Sequence, residues 1–414
     1  MKKIIFLFIL VFTYGEIYSQ ANLLPRWEKG FLDINFISTG RGNSTFIIMP
    51  DGTTLLVDAG DLPPTDTGRR AGTIPNAVKT PAQWIADYIY KFHPAGKNAK
   101  LDYALITHYH DDHFGHFDST VKEYANGGYR LSGITEVGSI IPIKKLIDRG
   151  YDFPVNLKSP EVQSNKQLTD LLQNLKEYWK FIDYQKKENG LENQKLIVGS
   201  SEQIVLINDP SDFPQFKIKN LFADGEIANS WDDKIGIQKF KAGEYPGEND
   251  LSCGIRITYG KFDFYTGGDI SGVNEIGTSD FYKIDALVAP VIGPVDVAML
   301  NHHGNRDSQS EYYVRTIHPR VWVGQSWTSN HPGEETLRRI TSTSVYPGER
   351  DLFTNFMHQA NQTVMGKRLI DRYKSISGHI VVRVYPNGDK YDVFVLNDKD
   401  EQHEVIKQFH YQSR

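Results

Sequence analysis

The stretch Thr107-His108-Tyr109-His110-Asp111-Asp112-His113 directly follows an apolar run with the pattern of a buried β-strand. Alternate residues of an extended chain share one face, so His108 and His110 can reach the same metal ion. The turn that follows can direct Asp112 and His113 toward a second ion. Imidazole nitrogens combined with carboxylate oxygens favour zinc, manganese or iron. The pattern therefore predicts a metal site at the carboxyl end of this strand.

Strands and helices alternate along the rest of the chain. Apolar runs and turn signals predict strands at residues 31–38, 44–49, 53–57, 101–107, 203–207, 216–222, 254–259, 262–266, 284–288, 295–300, 321–325, 379–384 and 391–395. Helical spacing predicts helices at residues 81–92, 164–188, 312–317 and 334–340. This pattern is typical of two β-sheets covered by helices.

The composition of the 414-residue chain is that of a globular protein, with 39% hydrophobic and 23% charged residues. A net charge of −5 gives no overall attraction to nucleic acid or to anionic membranes. The net charge therefore does not support nucleic acid as a partner, although such a partner is possible. Cys253 is the single cysteine, which excludes an internal disulfide, and its apolar surroundings predict a buried strand residue.

The first residues are typical of a secretory signal peptide. Lys2 and Lys3 precede an apolar run at residues 4–12, and small residues follow at 15–19. The apolar run is too short to span a bilayer as a helix, which needs about 20 residues. We expect residues 1–19 to be removed and residues 20–414 to form one exported domain, periplasmic or secreted, with no membrane span in the mature chain.

The histidine-rich stretch resembles the metal-binding signature of the metallo-β-lactamase superfamily. Three further segments agree with it in order. Residues 55–60 resemble the first motif of the family, and the resemblance implies that Asp58 orients the metal site. Residues 265–269 resemble the motif whose aspartate, here Asp269, bridges two metal ions, and His302-His303-Gly304 resembles the late histidine motif. The resemblance implies an α/β fold with a four-layer αββα sandwich.

One branch of the superfamily is more similar. It comprises the extracellular hydrolase domain of bacterial DNA-uptake competence channel proteins and related secreted phosphodiesterases. The likeness rests on Gly42-Asn43-Ser44, on Asn249-Asp250-Leu251-Ser252, and on Ser329-Asn330-His331-Pro332. It spans residues 31–396, apart from a family-variable insert at about 117–248.

The resemblance also implies a ligand set for two divalent ions, zinc or manganese. His108, His110 and Asp269 would bind the first ion. Asp112, His113, Asp269 and one of His302 and His303 would bind the second, and the sequence does not distinguish between those two histidines. Members of the family usually have a further ligand histidine, but no histidine lies between His116 and His302. The identity of the first metal and its remaining ligand are therefore open.

Two residues are candidates for direct roles in the reaction, Asp112 and His331. Proline at position 332 restricts His331 to extended conformations. His331 could contact the substrate or its leaving group, could substitute for the missing metal ligand, or could cap the helix predicted from residue 334.

The residues and the resemblance together predict an exported metal-dependent hydrolase that uses a metal-bound hydroxide on phosphodiesters, as a nuclease or a phosphodiesterase. Two alternatives remain. One is hydrolysis of a lactone, a thioester or another carbonyl substrate, because a fold does not determine a substrate. The other is a non-catalytic metal-binding or interaction protein, which the missing histidine suggests.

Overall fold

Two nine-stranded β-sheets form the centre of the molecule. The computed structural model describes residues 22–63, 68–232, 236–244, 247–273 and 283–414. The predicted signal peptide lies outside these residues. Within them, no helix is both long and apolar enough to cross a membrane.

The strands are β1 (Leu32–Phe36), β2 (Thr45–Ile48), β3 (Thr54–Val57), β4 (Leu101–Leu105), β5 (Glu123–Tyr124), β6 (Tyr129–Arg130), β7 (Ile143–Asp148), β8 (Glu192–Lys195), β9 (Phe216–Ala223), β10 (Glu226–Ala228), β11 (Ile237–Lys239), β12 (Gly254–Tyr259), β13 (Phe262–Thr266), β14 (Val297–Met299), β15 (Val321–Gly324), β16 (Asp351–Thr354), β17 (Tyr373–Ser375), β18 (His379–Val384), β19 (Lys390–Leu396) and β20 (Val405–Gln412). The helices are α1 (Pro81–Phe92), α2 (Asp111–Phe114), α3 (Gly133–Ile140), α4 (Pro160–Gln163), α5 (Thr169–Asn189), α6 (Ile284–Ile292), α7 (Glu311–Ile317), α8 (Glu334–Thr341) and α9 (Gln359–Ile370).

The first sheet has the strand order β20-β19-β18-β1-β2-β3-β4-β7-β8, and the second has the order β11-β10-β9-β12-β13-β14-β15-β16-β17. Strands β3, β4 and β7 run parallel, as do β13, β14, β15 and β16. Because parallel strands end at the same edge of a sheet, the loops that follow them gather the polar residues of both halves at one end of the molecule.

Apolar side chains fill the space between the sheets, where Phe36 of β1 meets Phe264 of β13 edge to face, with ring centroids 5.8 Å apart. A second apolar cluster joins the other face of the first sheet to helices α1, α3 and α5. Helices α6, α7 and α8 bury Val288, Val314 and Leu337 in the same cluster as the second sheet. The predicted α/β fold with four αββα layers is confirmed.

Most predicted elements are present, and the predictions for α1, β12, β13 and β18 match to the residue. Two predicted strands are wrong. Residues 284–288 belong to helix α6, because a short run of apolar residues does not by itself distinguish a buried helix from a buried strand. Residues 203–207 form no strand, because the backbone N–H of Ile207 donates to the side chain of Thr53 instead of to a neighbouring strand.

Candidate metal centre

The histidine-rich stretch begins two residues after β4 and passes into the four-residue helix α2. Its backbone is held by the loops that follow β1 and β3. Asn43 donates its N–H to the carbonyl of Asp112 at 2.8 Å, and Ala59 donates to the carbonyl of His113 at 2.8 Å. A Cβ atom at Gly42 or Gly60 would lie 2.3 Å or 2.0 Å from the Asp112 carbonyl oxygen. Glycine at both positions therefore permits this close approach of backbones.

Four buried side chains converge beside this stretch, namely Asp112, His113, Asp269 and His303, and we call them the four-residue pocket. One potential ligand atom from each lies within 4.8 Å of the others. His303 Nε2 is 2.9 Å from an oxygen of Asp112 and 3.1 Å from an oxygen of Asp269. His113 Nε2 is 3.2 Å from the other oxygen of Asp269. The pocket joins the two sheets, since Asp112 and His113 follow β4 of the first sheet, whereas Asp269 and His303 follow β13 and β14 of the second.

Hydrogen bonds on the far side of each ring set the nitrogen that faces the pocket. His113 Nδ1 lies 2.8 Å from the carboxylate of Asp58, which accepts a hydrogen bond from it. His303 Nδ1 lies 2.9 Å from the carbonyl of Gln325 and 3.1 Å from the side-chain oxygen of Asn43. Since these acceptors face Nδ1, the neutral form of each ring has its lone pair on Nε2, inside the pocket. Asp58 therefore lies where the sequence placed it, behind a potential ligand.

A second group, which we call the histidine pair, consists of His108 and His110. His108 Nε2 lies 3.1 Å from His110 Nδ1, close to the roughly 3.3 Å expected of two nitrogens that bind one tetrahedral zinc ion at about 2.0 Å. His108 Nε2 is also 4.0 Å from an oxygen of Asp269. Asp269 thus adjoins both groups, as does His113, whose ring centroid is 4.1 Å from that of His108. His108 is buried, whereas His110 is exposed.

The adjacent histidines at the end of β14 have different surroundings. Both adopt positive φ, 47° for His302 and 53° for His303, and their ring centroids are 6.1 Å apart. The Nδ1 atom of His302 lies 2.9 Å from the carboxylate of Asp307, and its Nε2 lies 3.4 Å from the side-chain nitrogen of Asn249. Of the two histidines that the sequence did not distinguish, the structure places His303 in the four-residue pocket and His302 beside it.

His331 lies against the pocket and outside its ligand group. Its ring stacks on that of His303 at 4.8 Å, and the edge of Trp327 meets both rings. His331 is buried, and its Nδ1 has no hydrogen-bond partner among the described residues. His116 is bound elsewhere, because its Nδ1 lies 2.9 Å from the carbonyl of Asp61.

Charges within the pocket oppose the effect of burial on the pKa values of its side chains. Burial lowers the pKa of His303, but the carboxylates of Asp269 and Asp112 outweigh it and raise that pKa to about 9. Burial likewise lowers the pKa of His113, and Asp269, Asp58 and Asp112 raise it well above its ordinary value. Burial raises the pKa of the Asp269 carboxyl, but the facing His113 and His303 hold it well below its usual range. The pocket therefore combines anionic carboxylates with imidazoles whose protons a divalent cation can replace.

The donor set fits a metal ion. Although the atoms of the pocket are close, His113 Nε2, His303 Nε2 and one oxygen of Asp269 are buried and make no well-aligned hydrogen bond with any described residue. Buried polar atoms are rarely left in this state without an unseen ligand. Two imidazole nitrogens and two carboxylates match the preferences of zinc, manganese and iron. The four-residue pocket would hold one divalent ion, and the histidine pair with Asp269 would hold a second.

Two supporting residues were missed by the sequence analysis, Glu248 and Arg149. An oxygen of Glu248 accepts the backbone N–H of Tyr109 at 3.0 Å, between the members of the histidine pair. Arg149 donates to both oxygens of the same carboxylate, at 2.9 Å and 2.7 Å. The two residues are 99 positions apart in sequence, and no local pattern links them.

Residues 37–138 match the family model of the metallo-beta-lactamase superfamily, and this segment contains Asp58 and the histidine-rich stretch. No curated protein matches the chain. Among solved structures, the chain is similar to a protein of Parabacteroides distasonis provisionally described as a metal-dependent hydrolase, with 13% identity, coverage of 78% of this chain and 92% of that one, and a TM-score of 0.32. It is also similar to CmlA, a diiron β-hydroxylase from Streptomyces venezuelae, with 12% identity, coverage of 87% and 55%, and a TM-score of 0.36.

Proposed function

We propose that the chain is a metal-dependent hydrolase of the metallo-β-lactamase superfamily, whose model residues 37–138 match, and that its substrates are phosphodiesters. The observation that carries the proposal is the position of Asp269. It belongs to the four-residue pocket and also lies beside the histidine pair. When bound, two divalent ions supply an activated water and stabilise negative charge on phosphoryl oxygens. Asp269 would hold the two ions at a fixed separation, which suits displacement at phosphorus.

An arginine at the edge of the site supports an anionic substrate. The guanidinium of Arg70 lies 5.3 Å from the ring of Trp327, which in turn contacts His303 and His331. The backbone around it is fixed, because Ala71 donates its N–H to the carbonyl of Trp327 at 2.8 Å. A positive charge held beside the pocket attracts a phosphodiester and contributes little to binding of a neutral ester.

His331 would contact the substrate. Burial lowers its pKa well below the ordinary value, and the neighbouring His303 and His302 lower it further. A neutral ring can donate one hydrogen bond and accept another. We assign to His331 a hydrogen bond to a phosphoryl or leaving oxygen, and to Asp112 the holding of the ion in the four-residue pocket. Zinc or manganese as the metal, and export of the protein, are parts of the same proposal.

The proposal is tested by hydrolysis of bis(p-nitrophenyl) phosphate by the mature protein with added zinc or manganese. We expect activity in the parent protein and at least about a 100-fold loss in His110→Ala, because the histidine pair would no longer hold its ion. His410→Ala is the matched control, since His410 is exposed and pairs with Asp392 on β19. Its activity should equal that of the parent.

Other substrates decide between the alternatives. Opening of a lactone or cleavage of a thioester, with the diester left intact, would assign the site to carbonyl chemistry. A purified protein with no bound metal and no hydrolysis would assign it to binding. Arg70→Met sharpens the test, because loss of the positive charge should raise KM for the diester about 10-fold and leave KM for a neutral ester unchanged.

A further inference from the structure

The turn that precedes β12 lies along the histidine pair. An oxygen of Glu248 accepts the backbone N–H of Tyr109 at 3.0 Å, between the two histidines of the pair. Four residues later, the side-chain oxygen of Ser252 lies 3.3 Å from His108 Nδ1. Asn249 belongs to the single turn of 3-10 helix between these two contacts. The backbone is therefore held against the pair on both sides of Asn249.

The side chain of Asn249 has one partnered atom and one atom without a partner. His302 Nδ1 faces the carboxylate of Asp307 at 2.9 Å, so the neutral ring carries its proton there and its Nε2 can accept. The amide nitrogen of Asn249 lies 3.4 Å from that Nε2. The amide oxygen is buried and has no hydrogen-bond partner in the described parts of the chain. A buried oxygen in this state requires a donor or a cation.

The histidine pair has fewer protein ligands than the four-residue pocket. The pocket brings together four side chains, whereas the pair supplies two imidazole nitrogens and lies 4.0 Å from an oxygen of Asp269. No third imidazole is available from the intervening chain, because no histidine lies between His116 and His302. The turn that is held against the pair contains the unpartnered oxygen of Asn249 instead. Amide oxygens suit manganese and magnesium, whereas a third imidazole would suit zinc.

We propose that the side-chain oxygen of Asn249 is the remaining protein ligand of the ion at the histidine pair. It would shift the metal preference of this position from zinc toward manganese. The inference rests on the two-ion site of the proposed function and does not depend on the substrate. Asn249 would thereby take the place of the histidine that the sequence lacks, with a neutral oxygen in place of an imidazole nitrogen.

The test follows manganese binding to the full chain by electron paramagnetic resonance, because the signal of free manganese falls as the ion binds. The metal-free protein first receives an equimolar amount of zinc, which the four buried side chains of the pocket would take. Asn249→Leu removes the oxygen at nearly constant volume, and the manganese affinity should fall about 10- to 100-fold. Asn249→Asp keeps an oxygen and adds a negative charge, so its manganese affinity should equal or exceed that of the parent.

Asn249→His adds the imidazole that the sequence lacks and should reverse the metal preference. Zinc affinity at the histidine pair should rise about 10-fold relative to manganese affinity, and the spin-echo spectrum of bound manganese should show an additional nitrogen ligand. A purely structural role of Asn249 would produce neither change. Asn189→Leu, at an exposed position of α5, is the control and should titrate like the parent.

Three results would overturn the inference. Asn249→Leu could bind manganese as tightly as the parent, or Asn249→Leu and Asn249→Asp could lose affinity equally, which would assign Asn249 a role through its hydrogen bond with His302. A parent protein without a manganese-binding step would leave no ion for Asn249 to hold. Thermal unfolding of each variant is measured first, and Asn249→Ala replaces Asn249→Leu if the latter does not fold. No substrate enters the titration, so a parent that binds manganese and leaves the diester intact contradicts the proposed substrate alone.

Discussion

The four-residue pocket and the histidine pair differ in how completely the protein encloses them. All members of the pocket are buried and come from both sheets, whereas the pair comes from one short stretch and His110 is exposed. The pocket offers a nearly complete set of ligands, and the pair depends on Asp269 and on groups from outside the protein. We infer that the ion in the pocket binds tightly and that the ion at the histidine pair binds weakly, at a position open to substrate.

The largest effect is expected at the residue that the two positions share. Asp269→Asn removes a negative charge from both ion positions. Both ions should be lost, and activity toward the diester should fall at least about 1,000-fold. Metal content is measured by elemental analysis of the purified protein. Asp263→Asn is the control on the same strand, because Asp263 pairs with Arg256 away from the site. An Asp269→Asn protein that kept its metal and its activity would remove the basis of the comparison.

The next effect distinguishes the neighbouring histidines His303 and His302. His303→Ala should lower the affinity of the tighter ion about 100-fold, because a direct ligand is lost. His302→Ala should lower it no more than about 10-fold, because His302 faces Asp307 and Asn249. Isothermal titration of the metal-free proteins with zinc measures both values. The reverse order would assign the ligand role to His302.

The difference between the two positions also explains what the sequence could predict. The histidine pair is local, so the spacing of His108 and His110 after a strand is sufficient to suggest it. The pocket depends on the junction of two sheets. Its four members could be named from the resemblance, but the choice of His303 required the positive-φ turn that separates it from His302.

Support from distant residues is the part of the site that no local pattern predicted. Glu248 and Arg149 act on the backbone of Tyr109 through a contact formed only in the folded protein.

The same limit of local sequence patterns applies to the fold. Strand β20 was missed because it lies at a sheet edge and has polar, exposed residues along most of its length. Apolar periodicity indicates only elements that bury a face.

A smaller effect is expected from the support of the histidine pair alone. Glu248→Gln weakens the contacts with Arg149 and with Tyr109, so the affinity of the weaker ion should fall about 10-fold while that of the tighter ion is unchanged. The zinc titration resolves the two steps. Glu192→Gln is a matched control at an exposed position on β8. Equal weakening of both steps would show that Glu248 supports the whole centre and not the pair.

The last effect concerns the stability of the fold, and it must be known before the two ions are compared at different pH. Glu136 of α3 accepts hydrogen bonds from Thr80 at 2.8 Å and from Gln83 at 3.0 Å, and burial raises its pKa to about 7. Because the folded value lies above the ordinary 4.5, the folded state binds this proton more tightly than the unfolded state. Glu136 should therefore contribute a decrease in the free energy of unfolding of about 3 kcal/mol at most as pH rises from about 4.5 to about 7.

Glu136→Gln should remove the contribution of Glu136 and make the decline shallower, because a neutral amide can keep hydrogen bonds to the same two partners without a buried charge. Urea unfolding of the metal-free protein between pH 5 and pH 8 measures the change. Glu188→Gln, at an exposed position of α5, should behave like the parent. If Glu136→Gln shows the same decline as the parent, another buried carboxyl, such as Asp285 with a pKa of about 7, governs it. If the decline becomes shallower, metal titrations in the Glu136→Gln background report the pH dependence of the two ion positions without a contribution from Glu136 to folding.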